Sequence, residues 1–287
     1  MGVVGRAGRV RSGVSILRML RRLVSLLPPA ALRAAAALQR AVPALRPLFE
    51  RLAASVAAGE GTIRHGPAAG LRLRADVPVA GYRLGTTEPD FQQAFVERVR
   101  PGDVVYDLGA NVGFYTVLAA RLVGPEGRVV AFEPFPGSAE TVRHNARANG
   151  FETVTVVEAA IGEPGRAWLR TTDNPVVFRL AERVASAEGV EVEVTSVDTY
   201  VAAGGPPPDV IKVDVESAEV AALHGMARTL REHRPAVLVE VHHDVADFPD
   251  AVAAVAEPLG YRVTVLGGGP IPRGGDRAHV FLDPMDR

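Results

Sequence analysis

The feature that most constrains the fold of this sequence is an alternation, from about residue 100 onward, of short β-branched runs with runs of helical periodicity. Such alternation predicts an α/β fold, a mostly parallel sheet with helices on both faces. We expect strands at residues 104–108, 128–132, 154–161, 210–213, 236–241, 261–266 and 278–282. Helices fit residues 114–123, 138–149, 218–231 and 245–259. The Gly/Pro-rich turn at 267–275 predicts that the last two strands form an antiparallel hairpin at the sheet edge.

Three further segments, at residues 167–171, 176–180 and 191–197, have the composition of extended structure. With 47% hydrophobic and 23% charged residues, the chain can bury a substantial core, and this excludes wholesale disorder. The absence of cysteine excludes thiol nucleophiles, zinc–thiolate sites, iron–sulfur clusters and disulfides.

The N-terminal part differs from the rest in charge. Residues 1–60 carry ten arginines and two glutamates, a net charge of +8, which leaves −9 for residues 61–287 given the total of −1. We therefore predict a basic helical extension at residues 1–75 and a main domain at residues 76–287.

Within the extension, residues 14–27 place apolar side chains at helical spacing with arginines between them. The uncharged run at residues 23–32 is shorter than the roughly 20 residues of a membrane span, and no secretory cleavage site follows. We expect a cytoplasmic protein. We favour a helical lobe or loosely ordered extension, with membrane-surface or partner binding as the alternative.

The most informative motif is VVYDLGANVGFYT at residues 104–116, in which a strand passes through two glycines into a helix. Its carboxyl end should face a ligand, because parallel sheets of this kind bind ligands at that edge. The spacing differs from the G-x-G-x-x-G of dinucleotide-binding turns. Asp107 is a poor neighbour for a diphosphate and a good one for a cationic group.

Glu133 ends the next strand, 20 residues after Gly113. An acid at this position can accept hydrogen bonds from both hydroxyls of a ribose. Asp107, Gly109, Gly113 and Glu133 together indicate S-adenosylmethionine, which has a ribose and an ammonium group but no phosphate. Glu158, at the end of the third strand, is a candidate acceptor for the adenine amine or a solvated acid.

Acidic residues and a histidine follow the next two strands. Asp214 and Glu216 come after residues 210–213. Glu240 lies near the end of the run 236–241, and His242 follows it. We predict Asp214 and His242 on the proton path, because an unperturbed imidazole titrates near 6.5, with Glu216 and Glu240 orienting an acceptor. Carboxylates and imidazole could instead hold a divalent cation, but no spacing demands one and we predict no metal.

Enzymes that methylate nucleobase amines usually carry an Asn/Asp-Pro-Pro-aromatic turn after the fourth strand, and here the segment reads DVES. We therefore expect no nucleic-acid partner. Lys212 alternates with Ile211 and Val213, which predicts a structural role for its side chain.

Residues 81–284 resemble the FkbM-type methyltransferases, a family of S-adenosylmethionine-dependent enzymes. The resemblance rests on the segments YRLG with Glu88, PGD, VVYDLGANVGFYT, GRVVAFEP, SVDTY, PDVIKVDVESAE and VFLDP. It implies the class I methyltransferase (Rossmann-like) fold, with a seven-stranded sheet and a reversed final hairpin. It also implies cofactor contacts at Asp107, Gly109, Asn111, Gly113 and Glu133, and an acid near the cofactor at Glu88.

One position departs from the family pattern. The family usually has Asp-x-Glu-Gly-x-Glu after the fourth strand, whereas this chain has Ser217 in place of the glycine. If the glycine adopts a positive φ, Ser217 strains or reshapes the turn. Ser217 is also suited to cap the following helix.

From these features we predict an O-methyltransferase that acts on a hydroxyl of a small molecule, natural product or sugar. The first alternative is a nicotinamide-dependent oxidoreductase or nucleotide-sugar enzyme on a Rossmann sheet, which the missing G-x-G-x-x-G opposes. The second is a non-catalytic scaffold that works through its basic N-terminal helix.

Overall fold

The computed structural model describes residues 27–28, 30–31, 34, 42, 59–75, 80–171, 178–181, 189–275 and 277–285. Residues 14–26, nearly all of the predicted N-terminal helix, lie outside the described residues, so that helix stays a prediction. Among the described residues, no helix has both the length and the apolar character needed to cross a membrane.

The chain divides into two compact units, Met1–Pro89 and Asp90–Arg287. In the first unit, strands β1 (Glu60–Thr62) and β2 (Arg72–Arg74) form an antiparallel pair, and helix α1 (Ala80–Leu84) follows. The guanidinium of Arg83 donates to the carbonyl of Gly59 at 2.8 Å, which ties α1 to the chain before β1. The predicted domain boundary at residue 75 stays a prediction.

The strands of the second unit are β3 (Val104–Leu108), β4 (Arg128–Phe132), β5 (Val154–Val157), β6 (Ala160–Ile161), β7 (Gly165–Thr171), β8 (Phe178–Ala181), β9 (Gly189–Thr195), β10 (Val210–Val213), β11 (Ala236–Val241), β12 (Tyr261–Val265) and β13 (Ala278–Pro284). In the described part of this unit, seven of them form one sheet in the order β12-β13-β11-β10-β3-β4-β5. All of these pairings are parallel except those of β13, which is antiparallel to both neighbours. The predicted fold with its reversed final hairpin is confirmed.

The helices of this unit are α2 (Pro89–Arg98), α3 (Phe114–Val123), α4 (Pro136–Ala148), α5 (Val197–Ala202), α6 (Glu219–His224), α7 (Ala227–His233) and α8 (Phe248–Val255), with a 3₁₀ helix at Glu257–Leu259. Every residue of β10 and β11 is buried. Strands buried on both faces are typical of a parallel sheet between two helical layers. The core of the second unit therefore lies along these central strands.

Two predicted helices are shorter or divided in the structure. The helix predicted at residues 218–231 breaks at Gly225, and α7 begins after Met226. The carboxylate of Asp198 accepts from the backbone N–H groups of Arg228 and Thr229, which caps this second helix. The helix predicted at residues 245–259 begins only at Phe248, where Pro249 suits the first turn.

The third predicted strand is also divided. Residues 154–161 form β5 in the large sheet and β6 in a second sheet, because a turn at residues 158–159 redirects the chain. In the described residues this second sheet has four strands in the order β6-β9-β7-β8. The three further extended segments overlap β7, β8 and β9. Strand β9 stops at Thr195 because the Ser196 hydroxyl accepts from the Thr199 N–H and starts α5.

Gly109 lies where the turn after β3 passes closest to the end of β10. Its φ is +77°, and a Cβ atom at this position would lie 1.8 Å from the carbonyl oxygen of Asp214. Only glycine allows both this backbone conformation and this approach. The glycine therefore sets the distance between the two strand ends that carry Asp107 and Asp214.

We predict that Gly109→Ala destabilises the protein more than Gly102→Ala. Gly102 has a φ of +89°, and a methyl group added to it would meet no atom within 4 Å, so its replacement should cost only about 1 kcal/mol for the backbone conformation. At Gly109 the steric overlap adds to that cost, and we expect a total of about 3 kcal/mol or more in urea unfolding. Equal losses in the two variants would contradict the close approach.

Candidate active site

A cleft opens at the carboxyl edge of the large sheet. The cleft is lined by Gly109, Asn111, Phe132, Glu133, Pro134, Ala159, Ala160, Ile161, Leu169, Asp214, Val215 and Glu216. The edge where the sequence predicted a ligand site is thus the edge where the structure has a cleft.

Asp107 does not line this cleft. Its side chain is buried, with Oδ2 accepting from the Thr116 hydroxyl at 2.6 Å and Oδ1 lying 3.1 Å from Nζ of Lys212. The carboxylate is thus paired inside the protein with a lysine that lies 105 positions away along the chain. The predicted contact of Asp107 with a cationic ligand group stays a prediction.

Lys212 is the only lysine of the chain and is buried beneath the cleft. Besides Asp107, its Nζ donates to the carbonyl of Gly109 at 3.0 Å and lies 3.5 Å from Oδ2 of Asp214. The sequence predicted a structural role for Lys212 without saying what it contacts. In the structure this side chain joins the ends of β3 and β10. The sequence feature that could have indicated this buried ion pair is a single lysine within the otherwise apolar run VIKV.

Asn111 and Gly113 shape the turn between β3 and α3. Asn111 has a φ of +52° and its backbone N–H donates to Oε2 of Glu133 at 2.7 Å. Its side-chain Oδ1 is buried and accepts no hydrogen bond from any described residue. Gly113, with a φ of +81°, precedes the first residue of α3 and does not line the cleft.

Glu133 is buried and lines the cleft. Its two oxygens accept from the backbone N–H groups of Asn111 and Phe135, at 2.7 and 2.9 Å. Burial raises the pKa of Glu133 to about 7, and the negative charge of Asp107 adds to this effect. The two backbone hydrogen bonds and the positive charge of Lys212 oppose the rise in pKa.

Glu158 points away from the cleft. Its carboxylate pairs with Arg143 of α4 at 2.6 Å and is 44% exposed. The next two residues, Ala159 and Ala160, line the cleft instead. The predicted contact of Glu158 with a bound adenine is therefore not supported, because the cationic partner on α4 holds the side chain at the surface.

Asp214, Glu216 and His242 meet at the other side of the cleft. Nε2 of His242 lies 3.1 Å from Oε2 of Glu216 and 3.8 Å from Oδ1 of Asp214. The opposite ring nitrogen, Nδ1, lies 2.6 Å from Oε1 of Glu219, a carboxylate buried on α6. The structure thus brings three predicted residues together and adds Glu219.

The environment of His242 changes its acid–base character. Burial alone would lower the pKa of His242, but interactions with the carboxylates of Glu216 and Glu219 outweigh burial and raise the pKa to about 10. The raised pKa differs from the value near 6.5 on which the sequence-based expectation rested, because two acids surround the imidazole. The place of His242 on the proton path stays a prediction.

Glu240 and Glu88 are not part of this group. The carboxylate of Glu240 pairs with Arg277 at 2.6 Å and does not line the cleft, so its predicted role in orienting an acceptor is not supported. Glu88 lies in the first unit, in a turn with a φ of +45° that precedes α2. Its contact with a cofactor stays a prediction.

Comparison with known proteins identifies the family of the chain. The pattern of the methyltransferase FkbM domain matches residues 107–263, more than half of the chain. The chain belongs to the FkbM methyltransferase family. The predicted resemblance is thus confirmed, and so is its cofactor class, S-adenosylmethionine.

Two curated proteins are similar to this chain. The hexuronic acid methyltransferase AglP of Haloferax volcanii is 29% identical over 161 residues, which cover 55% of this chain and 64% of AglP. The 31-O-demethyl-FK506 methyltransferase FkbM of Streptomyces tacrolimicus is 28% identical over 232 residues, covering 67% of this chain and 88% of the relative.

Among solved structures, the FkbM methyltransferase of Methylobacillus flagellatus matches with 20% identity and a TM-score of 0.44. The match covers 70% of this chain and 52% of that chain. This chain therefore spans less than two thirds of the length of AglP and about half of the length of the M. flagellatus protein.

The turn at Ser217, where the resemblance implied a glycine, has a left-handed backbone in the structure. Both Glu216 and Ser217 have left-handed φ values, +48° and +81°. The Ser217 hydroxyl donates to Oδ1 of Asp244 at 2.7 Å, and Ala218 rather than Ser217 is the cap residue of α6. The strain considered from the sequence is therefore present, and the alternative helix-capping role is not.

We predict that Lys212→Met destabilises the protein by about 3–5 kcal/mol in urea unfolding, because the buried Asp107 carboxylate would lose its counter-ion. Adding Asp107→Asn should restore part of this loss. The control is Arg147→Met, which breaks an exposed pair with Glu140 and should cost less than about 1 kcal/mol. Similar losses in the two single variants would contradict the importance assigned to Lys212.

Proposed function

We propose that this chain transfers the methyl group of S-adenosylmethionine to a hydroxyl oxygen of a small-molecule or sugar acceptor. The observation that carries this proposal is a single cleft with two chemically different sides. One side has glycine, Asn111 and Glu133, and the other has Asp214 and Glu216. A cofactor and an acceptor that bind side by side require such a division.

The residues of the first side suit the cofactor. Carboxylate oxygens have lone pairs beyond those used by backbone N–H groups, so Glu133 can still accept from ribose hydroxyls. The buried Oδ1 of Asn111 needs a donor, since a buried acceptor without a hydrogen bond costs about 1–3 kcal/mol. Ribose hydroxyls and the ammonium of the cofactor are donors of this kind.

The residues of the second side suit the acceptor. When bound, S-adenosylmethionine supplies an electrophilic methyl group. Asp214 and Glu216 have side chains that are 25% and 20% exposed in the cleft, where their carboxylates can accept a hydrogen bond from an acceptor hydroxyl. We assign contact with the acceptor hydroxyl to Asp214 and orientation of the acceptor to Glu216.

The contacts of His242 suit a different role from the one that the sequence suggested. Nε2 of His242 lies close to the carboxylates of Asp214 and Glu216 and holds both acids in position within the cleft, while Nδ1 is held by Glu219. We therefore propose His242 as a positioning residue.

The names of the relatives support a hydroxylated acceptor. By their names, one is a hexuronic acid methyltransferase and the other a 31-O-demethyl-FK506 methyltransferase, so the two relatives differ in acceptor. Oxygen as the methylated atom and a role in natural-product biosynthesis are proposals for this chain on the same basis. A cytoplasmic location stays a proposal from the sequence. Membership of the family leaves the oxidoreductase alternative without support.

The function is tested by calorimetric titration of the full chain with S-adenosylmethionine, S-adenosylhomocysteine and NADH. This titration is combined with transfer of a radiolabelled methyl group to a panel of uronic acids and hydroxylated natural products. We expect the first two compounds to bind, NADH not to bind, and Asp214→Asn to lower turnover at least 100-fold with cofactor affinity changed less than threefold. Nearly full turnover in Asp214→Asn would remove its catalytic role, and binding of NADH alone would overturn the function.

Cofactor affinity should depend on pH through Glu133. Both oxygens of Glu133 are free to accept hydrogen bonds only when the carboxyl group is deprotonated. Because burial raises its pKa to about 7, a fall in pH from 8 to 6 protonates the group and weakens cofactor binding. We expect the Kd for S-adenosylhomocysteine to rise about tenfold between pH 8 and pH 6, since one proton changes an affinity at most tenfold per pH unit.

The matched control for this titration is Glu133→Gln, which keeps the size of the side chain and cannot titrate. This variant should bind more weakly at pH 8 and lose the change between pH 8 and pH 6. The charged groups that act on Glu133, Asp107 and Lys212, remain unchanged in it. A pH dependence that persists in Glu133→Gln would assign the effect to another group.

A further inference from the structure

The buried ring nitrogen Nε2 of His242 lies beside two carboxylates without a hydrogen bond of good geometry to any described residue. The side chain of His242 is 1% exposed. This nitrogen faces Oε2 of Glu216 and Oδ1 of Asp214. A buried nitrogen that points between two carboxylates is the arrangement of a cation ligand set.

The distances agree with a shared cation. One ligand atom from each of Asp214, Glu216 and His242 lies within 4.8 Å of the others, and the two distances from Nε2 are 3.1 and 3.8 Å. Metal–oxygen and metal–nitrogen bonds to zinc are about 2.0–2.2 Å, so two ligands of one ion lie up to roughly 4.3 Å apart. Small side-chain rotations would complete the set.

The surrounding residues orient these ligands as in known metal sites. A histidine that binds a metal almost always donates its other ring N–H to a carboxylate or carbonyl group. Here Nδ1 lies 2.6 Å from Oε1 of Glu219, which is fully buried. Nζ of Lys212 lies 3.5 Å from Oδ2 of Asp214, and the other oxygen of this carboxylate, Oδ1, faces His242.

The charge of the cluster also favours a cation. Three carboxylates, those of Asp214, Glu216 and Glu219, surround one imidazole. The nearby Lys212 is shared with a fourth acid, Asp107. Acids placed close together and partly desolvated repel one another, and a divalent cation would offset this repulsion.

We propose that Asp214, Glu216 and His242 bind a divalent cation of the Mn²⁺ or Zn²⁺ type, with Glu219 as the carboxylate that orients the histidine. Two carboxylates with one imidazole suit these ions, which take both oxygen and nitrogen ligands. Three protein ligands leave coordination positions open on the cleft side, where Asp214 and Glu216 are exposed. An oxygen atom of a hydroxylated acceptor is a suitable ligand for such a position.

The proposal is tested with the full chain, freed of metal by chelation and titrated with Mn²⁺ under electron paramagnetic resonance. We expect saturable binding in which a nitrogen hyperfine coupling reports the imidazole ligand. Asp214→Asn and Glu216→Gln should each weaken Mn²⁺ binding at least tenfold, and Glu219→Gln by about 10- to 100-fold. Asp250→Asn, which removes an exposed carboxylate paired with Arg273, should leave binding unchanged.

Absence of Mn²⁺ and Zn²⁺ binding to the wild-type chain up to millimolar concentration would overturn the proposal. In that case a protonated His242 alone balances the acids. Binding that is unaffected by both Asp214→Asn and Glu216→Gln, or that shows no nitrogen coupling, would also overturn it. Because the readout is cation binding, it is independent of the methyl-transfer assay, and either proposal can fail while the other stands.

Discussion

The buried contact of Lys212 with Asp107 is the interaction on which the rest of the site depends. It joins β3 to β10 below the cleft, with Nζ also bound to the carbonyl of Gly109. Breaking one partner of a buried ion pair leaves an uncompensated charge in the interior, which is far more costly than losing a surface pair. The positions of the glycine turn and of Asp214 are therefore set by one side chain.

This contact divides the acids of the sheet edge into different roles. Asp107 is neutralised inside the protein, so a ligand in the cleft meets Glu133 and Asn111 on one side. On the other side, Asp214 shares Lys212 and turns its second oxygen toward His242. Three acids that end neighbouring strands in the sequence, Asp107, Glu133 and Asp214, thus differ in exposure, in partner and, for Glu133, in pKa.

The backbone of the fold was predictable because it follows from local patterns. Four predicted strands agree with the structure at both ends, those at residues 104–108, 128–132, 210–213 and 236–241. A β-branched run bounded by glycine, proline and acidic residues is typical of a strand, and the bounding residues mark its ends. The direction of side chains was not predictable. Glu158 pairs with Arg143, and Glu240 pairs with Arg277. The local sequence around either acid does not indicate which arginine elsewhere in the chain will contact it.

The strained turn at residues 216–217 shows why the acidic side of the cleft has this form. Left-handed φ values at two successive non-glycine residues are costly, and such strain persists where the surrounding structure holds it. Here the Glu219 carboxylate accepts from the Ser217 N–H at 3.1 Å while also holding His242, and Asp244 holds the Ser217 hydroxyl. The same contacts that fix the turn therefore aim Glu216 into the cleft beside Asp214. In this chain, hydrogen bonds to Glu219 and Asp244 offset the cost of a left-handed backbone conformation at Ser217, a residue other than glycine.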